Sequence, residues 1–364
     1  MFFSGEKMKL ACPTYLIISA TSLYAVMSNI SYGQSTPSEF AKLSLVQLFE
    51  LSIDETQVKQ QSLSPWSFVY NVKRVEFDGY LDGDASLSRD EVWWQGLPDV
   101  RTSKNFPIVP TVITQQAQVI SIGYQFDPKW RVHVSIPYLS QSTDHISGIP
   151  NYTNFTINTS GLGDVELSAS HQLVNSAENI WWVTAGLSLP TGSIDEQGDT
   201  PRAAGDQHLP YTMQLGSGTY DFPLQFSYQS LGAHDFSLNM SAVIRAGKND
   251  RNYRLGNNYS LAGRYNFTLS PSVRPFIGVE IMHSQAIHGR DEALLVEAPF
   301  AYPASITDPR LYGGDKLYGK VGFTWEFTDY LMLTVELAKP LYQNLNGPQP
   351  KEDYRSALNI SHVI

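Results

Sequence analysis

Cysteine is nearly absent from the 364-residue chain, because its one thiol, Cys12, lies within the first 33 residues. In the same segment Lys7 and Lys9 precede a mostly apolar stretch, and Gly33 follows at a spacing that signal peptidase accepts. This pattern predicts that residues 1–33 are a cleaved secretory signal peptide. The mature chain would then lack thiols, which excludes disulfides, cysteine metal sites and cysteine nucleophiles.

Long apolar runs are also scarce. A single anchoring helix is the alternative for the first segment, although Ser19, Thr21 and Ser22 interrupt its apolar stretch. Beyond that segment, no apolar run reaches the roughly 18 residues that a membrane-spanning helix needs. If the mature chain crosses a membrane, it must therefore do so as a β-barrel, in which backbone groups pair between strands.

Positive charge is in deficit, with 25 Lys and Arg against 35 Asp and Glu and a net charge of −10. A basic face for nucleic acid is therefore not expected, and we predict no nucleic-acid partner. Clusters with the spacing of a metal or cofactor site are missing as well, so neither a metal nor a cofactor is predicted.

One glycine-rich stretch, LPYTMQLGSGTYD at 209–221, has the look of a catalytic or phosphate-binding loop. A phosphate-binding loop needs a lysine and a following helix, and a nucleophile elbow needs G-x-S-x-G, but this stretch has neither. We therefore interpret Gly216, Ser217 and Gly218 as part of a loop in which glycine permits positive φ and close backbone approach where the chain re-enters a strand. Catalysis by Ser217 is not expected.

Residues 34–63 form a second predicted segment, on the periplasmic side. Leu43, Val46, Leu48 and Leu51 fall only roughly at helical spacing, which predicts a short amphipathic helix. Packing against the rest of the protein, plugging a lumen and contacting a partner all remain open roles for this helix.

From Trp66 onward the apolar pattern has a period of two. Ile120 and Ile122, for example, alternate with Val119 and Ser121, which is typical of strands with two different faces. The third predicted segment, 64–364, is therefore all-β. About twelve strands are predicted, at 66–79, 116–126, 130–139, 163–173, 181–190, 222–231, 236–246, 259–267, 273–283, 316–327, 331–341 and 355–364.

The connections between these strands alternate between short and long. Short turns such as DPK and TDY separate the long polar connections 80–115, 140–162, 191–221, 247–258, 284–315 and 342–354. An antiparallel meander with short turns at one end and long loops at the other is the layout of an outer-membrane barrel.

Charged side chains test this interpretation, because a cation facing the bilayer midplane costs about 2–4 kcal/mol. In most strands the charges fall opposite the apolar register, as Lys320 does beside Val321, and the exceptions His171 and Lys339 lie near strand ends. The residues predicted to line the lumen are Arg131, His133, Asp164, Glu166, Arg245, Arg264, Arg274, Glu280, Lys320, Glu326 and Glu336.

The facing of the first strand stays open, because Lys73, Arg74 and Glu76 occupy both registers. A soluble lipocalin-like barrel with reversed faces would show much the same alternation. The number of strands favours the membrane form, as do aromatic residues such as Trp130 and Trp325 near strand ends, where membrane barrels carry an aromatic girdle. The fold prediction is a transmembrane antiparallel β-barrel of about twelve strands with a short N-terminal helical segment.

Five segments also carry a family resemblance when taken in order: GLGDVELSASHQL (161–173), GLSLPTGSIDE (186–196), LPYTMQLGSGTYD (209–221), YRLGNNYSL (253–261) and YQNLNGPQ (342–349). Over about residues 66–354, the chain resembles an outer-membrane transporter-like family labelled putative meta-pathway of phenol degradation. The resemblance implies an exported barrel in outer-membrane lipid, inserted by the barrel assembly machinery and associated with moving aromatic or other small molecules. Such barrels usually end in Phe or Trp, whereas this chain ends at Ile364.

Together these observations predict a non-enzymatic channel or transporter for small, aromatic or hydrophobic solutes. With His133 neutral, the lumen set holds five positive and five negative side chains, so no ion selectivity is predicted and structural pairing is the alternative role. Two other functions stay open. One is a lipid hydrolase on the outer wall with His171 as its base, and the other is an adhesive or structural barrel that works through its long loops.

Overall fold

The computed structural model describes residues 65–231, 235–297 and 299–363. The predicted signal peptide and the predicted N-terminal helix lie outside the described residues. The described part is almost entirely β, and its one α-helix, α1, covers only Arg89–Val92. No helix within these ranges is long and apolar enough to cross a membrane.

The strands follow one another closely along the chain. In order they are β1 (Trp66–Gly83), β2 (Ala85–Leu87), β3 (Ile108–Asp127), β4 (Trp130–Ser147), β5 (Asn154–Leu162), β6 (Val165–Asn175), β7 (Asn179–Leu189), β8 (Gln197–Asp199), β9 (Asp206–His208), β10 (Tyr220–Ser230), β11 (Asp235–Ala246), β12 (Tyr253–Arg254), β13 (Asn258–Asn266), β14 (Val273–Ser284), β15 (His288–Gly289), β16 (Gly314–Glu326) and β17 (Leu331–Val363). Single 3₁₀ turns form at Tyr211–Met213, Glu292–Leu294, Ser305–Thr307 and Pro309–Leu311.

One antiparallel sheet closes on itself to form a barrel. Its order is β17-β16-β14-β13-β11-β10-β7-β6-β4-β3-β1, and β17 pairs with β1 to complete the ring. The 33-residue strand β17 makes two passes, because Met332–Leu345 pairs with β16 and Leu345–Val363 pairs with β1. With the ten other wall strands this gives twelve passes, which confirms the predicted barrel of about twelve strands.

Side chains alternate between the two faces of the wall. Ile120 and Ile122 are exposed on the outside at 43% and 46%, whereas Val119 and Ser121 are buried at 4% each. Similar outward residues on the other strands form an apolar belt, as expected where a barrel wall meets lipid. The belt includes Val132, Val134, Leu167, Val183, Leu224, Met240, Leu261, Ile277, Val279, Val321 and Phe323.

The facing of β1, which the sequence left open, follows from its pairing. Tyr70 pairs with the outward Ile120, so the even-numbered residues of β1, including Arg74, face outward. Lys73 faces inward and is 4% exposed. Arg74 bonds to Glu76 at 3.4 Å on the outer face, so the two charges partly neutralise each other there.

The two ends of the barrel differ. Short turns join β3 to β4, β6 to β7, β10 to β11, β13 to β14 and β16 to β17, and the described part of the wall also begins and ends at this end, where Ser67 pairs with Val363. The opposite end carries the long connections. There β3 begins at Ile108 and β4 runs to Ser147, each about eight residues beyond the prediction. The extensions escaped detection because the outward residues beyond the belt are polar, so the apolar alternation stops before the strand does.

Candidate functional site

The inner face of β14, β16, β17 and β1 is rich in ionised groups, which we call the charged wall: Lys73, Glu280, Lys316, Lys320, Glu336, Glu352 and Arg355. Lys320 Nζ lies 2.8 Å from Glu280 Oε2 and 3.0 Å from Glu336 Oε1. All three residues were predicted to line the lumen, and the structure brings them together across three adjacent strands. The pairing offsets the cost of desolvating each charge.

A second part of the charged wall is centred on Glu352, whose carboxylate is fully buried. Its Oε2 accepts hydrogen bonds from Lys316 Nζ at 3.0 Å, Tyr318 Oη at 2.7 Å and Arg355 Nη2 at 3.0 Å. The Arg355 guanidinium also lies 3.9 Å from the centroid of the Tyr318 ring, a cation–π contact. The carboxylate therefore has three donors and two cations around it.

Glu352 and Arg355 are not among the residues predicted to line the lumen. Residues three apart on a regular strand face opposite sides of a sheet. Here the register shifts by one residue, because Glu76 pairs with Tyr354 while Phe77 pairs with Glu352. This bulge turns Asp353 outward, where it bonds to Lys339 at 3.2 Å, and leaves Glu352 and Arg355 inside. No local pattern predicts the bulge, although the strand-like alternation after Tyr354 is visible.

The opposite inner face, on β3, β4, β6 and β7, uses hydroxyl pairs instead, and we call Ser121, Ser135, Ser170 and Thr184 the hydroxyl wall. Ser121 Oγ lies 2.7 Å from Ser135 Oγ, and Ser170 Oγ lies 2.8 Å from Thr184 Oγ1. Each pair joins neighbouring strands, so each hydroxyl can donate to and accept from another hydroxyl in the sheet.

The predicted lumen residues on β4 lie beside this hydroxyl wall. The Arg131 guanidinium lies 4.3 Å from the centroid of the Trp182 ring. His133 lies over Gly123, because a Cβ at that glycine would come within 2.7 Å of the His133 ring. Glycine at 123 therefore provides the space that the imidazole occupies.

The structure places all eleven predicted lumen residues on the inner side of the barrel, but in four separate groups. Arg274 bonds to Asp235 at 3.1 Å and to Glu326 near the short-turn end. Arg264 lies 3.8 Å from the centroid of the Phe276 ring. The groups are the mid-lumen set of Arg264, Glu280, Lys320 and Glu336, the short-turn set of Arg274 and Glu326, the hydroxyl-wall set of Arg131, His133 and Glu166, and the loop set of Asp164 and Arg245.

The loop from β7 to β10, residues 190–219, folds into the long-loop end of the barrel, and we call it the seal loop. Leu215 of this loop belongs to an apolar cluster whose wall residues come from six passes, among them Leu139 of β4 and Met282 of β14. Those two strands are six positions apart in a ring of twelve passes, so they lie on opposite sides of the lumen. The apolar cluster therefore spans and closes the lumen, and it consists of Val75, Phe77, Ile113, Ala117, Leu139, Leu215, Met282, Tyr318 and Ala338.

Asp164 anchors the seal loop. Its Oδ1 accepts a hydrogen bond from Gly192 N at 2.8 Å, and its Oδ2 accepts from Ser217 N and Ser217 Oγ at 2.8 Å each. Asp164 is 3% exposed, and this burial raises the pKa of its carboxyl group against the opposing effect of the Ser217 and Gly192 hydrogen bonds. The predicted lumen residue Asp164 thus holds both ends of the loop.

The glycines at 216 and 218 have packing roles. A Cβ on Gly216 would lie 2.3 Å from Gly192 O, and a Cβ on Gly218, where φ is +67°, would lie 2.7 Å from Asn249 Cβ. Between them, Ser217 is fully buried and its hydroxyl donates to Asp164. This segment therefore closes a tightly packed loop, in agreement with the interpretation that glycine permits close backbone approach there.

Three long connections, the seal loop among them, meet at Asp291. Its Oδ2 lies 2.9 Å from His208 Nε2 and 3.5 Å from Arg251 Nη1, and its backbone N–H donates to Tyr211 Oη at 2.9 Å. Burial would raise the pKa of Asp291, but hydrogen bonds from His208 and Ala293 N outweigh it, so the pKa lies below its ordinary value. Asp291 therefore favours the packed arrangement of these loops as a carboxylate.

On the short-turn side of the apolar cluster lies a cavity that is partly open to solvent; the space not filled by protein atoms, open solvent included, is about 950 Å³. It is bounded by the charged wall and by the adjoining strands β13 and β11. Its lining includes Asn71, Lys73, Ser237, Arg264, Phe276, Glu280, Lys320, Glu336 and Arg355.

His171, the base considered for a hydrolase, lies on the outer face as its register predicted. Its ring centroid is 4.2 Å from that of Trp130, and it pairs across strands with Val183. Neither neighbour can act as a nucleophile, and within the described residues its Nδ1 has no hydrogen-bond partner. The contacts of His171 thus provide no catalytic pair.

Comparison with known proteins gives a likeness in fold. No family model matches the chain, and no curated protein matches it. Among solved structures, it is similar to the COG4313 outer membrane channel from Pseudomonas putida F1, with 16% identity over 86% of this chain and 100% of that one and a TM-score of 0.53. The KdgM porin (9% identity, 82% of this chain and 99% of that one, TM-score 0.37) and a Pseudomonas aeruginosa FadL homologue (9%, 83% and 91%, TM-score 0.39) are weaker likenesses. The likeness to the COG4313 channel, at 16% identity, supports the barrel fold alone.

Proposed function

We propose that the protein is an outer-membrane channel or transporter for small solutes, aromatic or hydrophobic ones among them, with the seal loop controlling access from the long-loop end. The observation that carries this proposal is a lumen cavity inside a closed barrel, with the seal loop packed into the apolar cluster on its long-loop side. Outer-membrane lipid would surround the apolar belt, the barrel assembly machinery would insert the chain, and the predicted signal peptide would export it.

The seal loop is held in place in a way that allows it to open. The wall is held by continuous backbone pairing, whereas the seal loop is joined to the rest of the protein mainly by side-chain contacts, among them those at Asp164, at Asp291 and within the apolar cluster. Elements with few backbone bonds open at lower free energy than sheet strands. The seal loop can therefore move while the barrel stays folded.

The paired charges support an uncharged or weakly polar solute. Lys320 is already bonded to two carboxylates, and Arg355 to Glu352. A charged solute would have to compete with these internal ion pairs, and separating a buried pair is costly. A neutral solute leaves them intact, which agrees with the aromatic or hydrophobic class predicted from the sequence.

Single-channel recording in a planar bilayer tests the proposal. We expect rare, brief openings from the unmodified protein and a higher open probability from Asp164→Ala, because that change removes the acceptor for three loop hydrogen bonds. Asp144→Ala is the matched control, since Asp144 is an exposed carboxylate that bonds only within the outer extension, to Thr156.

The outcomes separate clearly. A higher open probability for Asp164→Ala, with no change in open probability for Asp144→Ala, supports a channel gated by the seal loop. If the unmodified protein and both variants are correctly folded but silent, and vesicles loaded with them take up no small neutral solute, the channel proposal is wrong.

A further inference from the structure

The cavity beneath the apolar cluster contains buried polar atoms that lack partners. Asn71 Nδ2 and Oδ1, Ser237 Oγ and Glu280 Oε1 make no hydrogen bond within the described part of the chain. Their residues are only 2%, 1% and 2% exposed, and all three line the cavity. A buried polar atom without a partner is destabilising, so such atoms normally bond to something that occupies the adjacent space.

These atoms lie at separate points along the cavity lining. Asn71 is on β1 and Ser237 is on β11, the strands at the two ends of that lining, which are six positions apart around a ring of twelve passes. Glu280 lies between them, on β14. An occupant that bonds to Asn71 and Ser237 together must therefore carry polar groups on different sides.

The hydrogen-bonding capacity of the three side chains selects the polar groups of the occupant. Glu280 Oε1 can only accept, because Oε2 of the same carboxylate is bonded to Lys320. The Asn71 amide offers one acceptor and a donor group, and the Ser237 hydroxyl can do both. A hydroxyl group complements all three, since it donates and accepts at one atom.

Charge on the occupant is not favoured. Each inward-facing cation in the lining already interacts with other protein groups: Lys320 with Glu280 and Glu336, Arg355 with Glu352, Arg264 with Asn266 and Thr324, and Lys73 as well. The rest of the lining includes apolar groups from Val75, Ala262, Phe276 and Ala357, against which a ring can pack.

We propose that this cavity is a binding site for a neutral ring compound that carries hydroxyl groups on opposite sides of the ring. The site holds the hydroxyls through Asn71, Ser237 and Glu280, and the ring fills the space between them. The proposal rests on the proposed function, because the occupant would be a solute on its way through the barrel. Aromatic diols and cyclic polyols share this chemistry.

Isothermal titration of the full chain in detergent tests the site with four probes. Hydroquinone and myo-inositol represent the aromatic and the saturated hydroxylated ring. 1,4-Dimethoxybenzene keeps the ring but cannot donate a hydrogen bond, and benzoate carries a charge. We expect at least one hydroxylated probe to bind, and the two others to bind at least about tenfold more weakly, since they leave a buried carboxylate oxygen without a donor.

Two substitutions give a result that a merely structural role would not produce. Asn71→Leu and Ser237→Ala should each weaken binding of the hydroxylated probe, Asn71→Leu by about tenfold or more because it loses two polar atoms. Each should leave the thermal stability of the ligand-free protein unchanged or raise it, because it removes a polar atom that has no partner. Ser135→Ala is the control, because the Ser135 hydroxyl is paired with Ser121. This substitution should lower the thermal stability of the ligand-free protein and leave binding of the hydroxylated probe unchanged.

The outcomes distinguish the site from the channel. No binding of either hydroxylated probe at millimolar concentration, or binding that Asn71→Leu and Ser237→Ala leave unchanged, overturns the site and indicates that water alone satisfies these atoms. Conductance measured on the same proteins is a separate readout. Conductance without binding refutes only the site, whereas binding in a folded barrel that never conducts supports the site and refutes the channel.

Discussion

The charged wall and the hydroxyl wall stabilise the same barrel by different means. In the charged wall, the buried Glu352 carboxylate has Lys316, Tyr318 and Arg355 around it. In the hydroxyl wall, Ser121 and Ser135 bond to each other across two strands. The charged groups depend on one another, because any one left alone is a buried charge, whereas a lone hydroxyl is a smaller loss.

This difference also bears on where a solute can lie. The cavity adjoins the charged wall, where ion pairs fix side chains in place, and extends to the adjoining strands β13 and β11. Fixed side chains define a cavity of stable shape, which specific binding requires. The hydroxyl wall, built of short side chains, contributes to the sheet rather than to the shape of that cavity.

The largest effect is expected at the centre of the charged wall. Glu352→Gln keeps the shape of the side chain but leaves the buried Lys316 and Arg355 without their carboxylate, so the free energy of unfolding should fall by about 3–5 kcal/mol. Urea unfolding in lipid vesicles, followed by tryptophan fluorescence, measures it. Glu292→Gln, at a carboxylate that is exposed in a long loop, is the control and should change little. A loss below about 1 kcal/mol for Glu352→Gln would show that the charges are hydrated rather than buried.

A smaller effect, on the ratio of open to closed states, is expected where the seal loop packs between the two walls. Gly216→Ala places a Cβ 2.3 Å from Gly192 O, and overpacking of this kind costs about 1–3 kcal/mol. Because the strain is confined to the closed loop, we expect the ratio of open to closed states to rise by about 5- to 150-fold, with the unfolding of the barrel unchanged. Single-channel recording measures the ratio.

Gly198→Ala is the matched control in the same loop, because its added Cβ would make only ordinary contacts of 3.4 Å with Leu209. Equal opening by both substitutions would mean that the loop responds to any change, and the packing of Gly216 against Gly192 would not be what keeps it closed.

In the hydroxyl wall, single substitutions should cost little. Ser170→Ala and Thr184→Val should each reduce the free energy of unfolding by about 0.5–1.5 kcal/mol. The free energy of unfolding of the double variant should fall by less than the losses of the two single variants added together, because neither hydroxyl is then left without its partner. The same urea titration checks this. Strict additivity would show that the two hydroxyls do not interact, and the comparison between the walls would lose its basis.

The smallest effect is a pH dependence of closure. Burial raises the pKa of Asp164 in the closed loop, and opening would return it toward its ordinary value. The closed state therefore binds the proton more tightly, so lowering the pH through the raised pKa should favour closure and reduce the open probability. The hydrogen bonds from Ser217 and Gly192 limit the shift.

Recording of single channels from pH 7 to pH 4.5 measures this dependence, and Asp164→Asn, which cannot titrate, should abolish it. An open probability that increases on acidification, or that changes equally in Asp164→Asn, would assign the response to groups other than Asp164.

The amino-acid sequence by itself determined the barrel, its number of passes and the facing of most strands, because each strand must present apolar residues to lipid and polar residues to the lumen. The alternation of Ile120 and Ile122 with Val119 and Ser121 contains this information locally. It also placed Glu280, Lys320 and Glu336 on one side of the wall. The order of neighbouring residues along each strand was enough for these conclusions.

Only the tertiary structure decided which of these groups meet. The bulge at Asp353 brings Glu352 and Arg355 to the same face, against the period of two, and it depends on the register between β17 and β1. The seal loop enters the lumen because Asp164, 53 residues before Ser217, offers a buried acceptor. Such contacts join segments far apart in the chain, and their free energy arises only once the sheet has closed, so local alternation cannot report them.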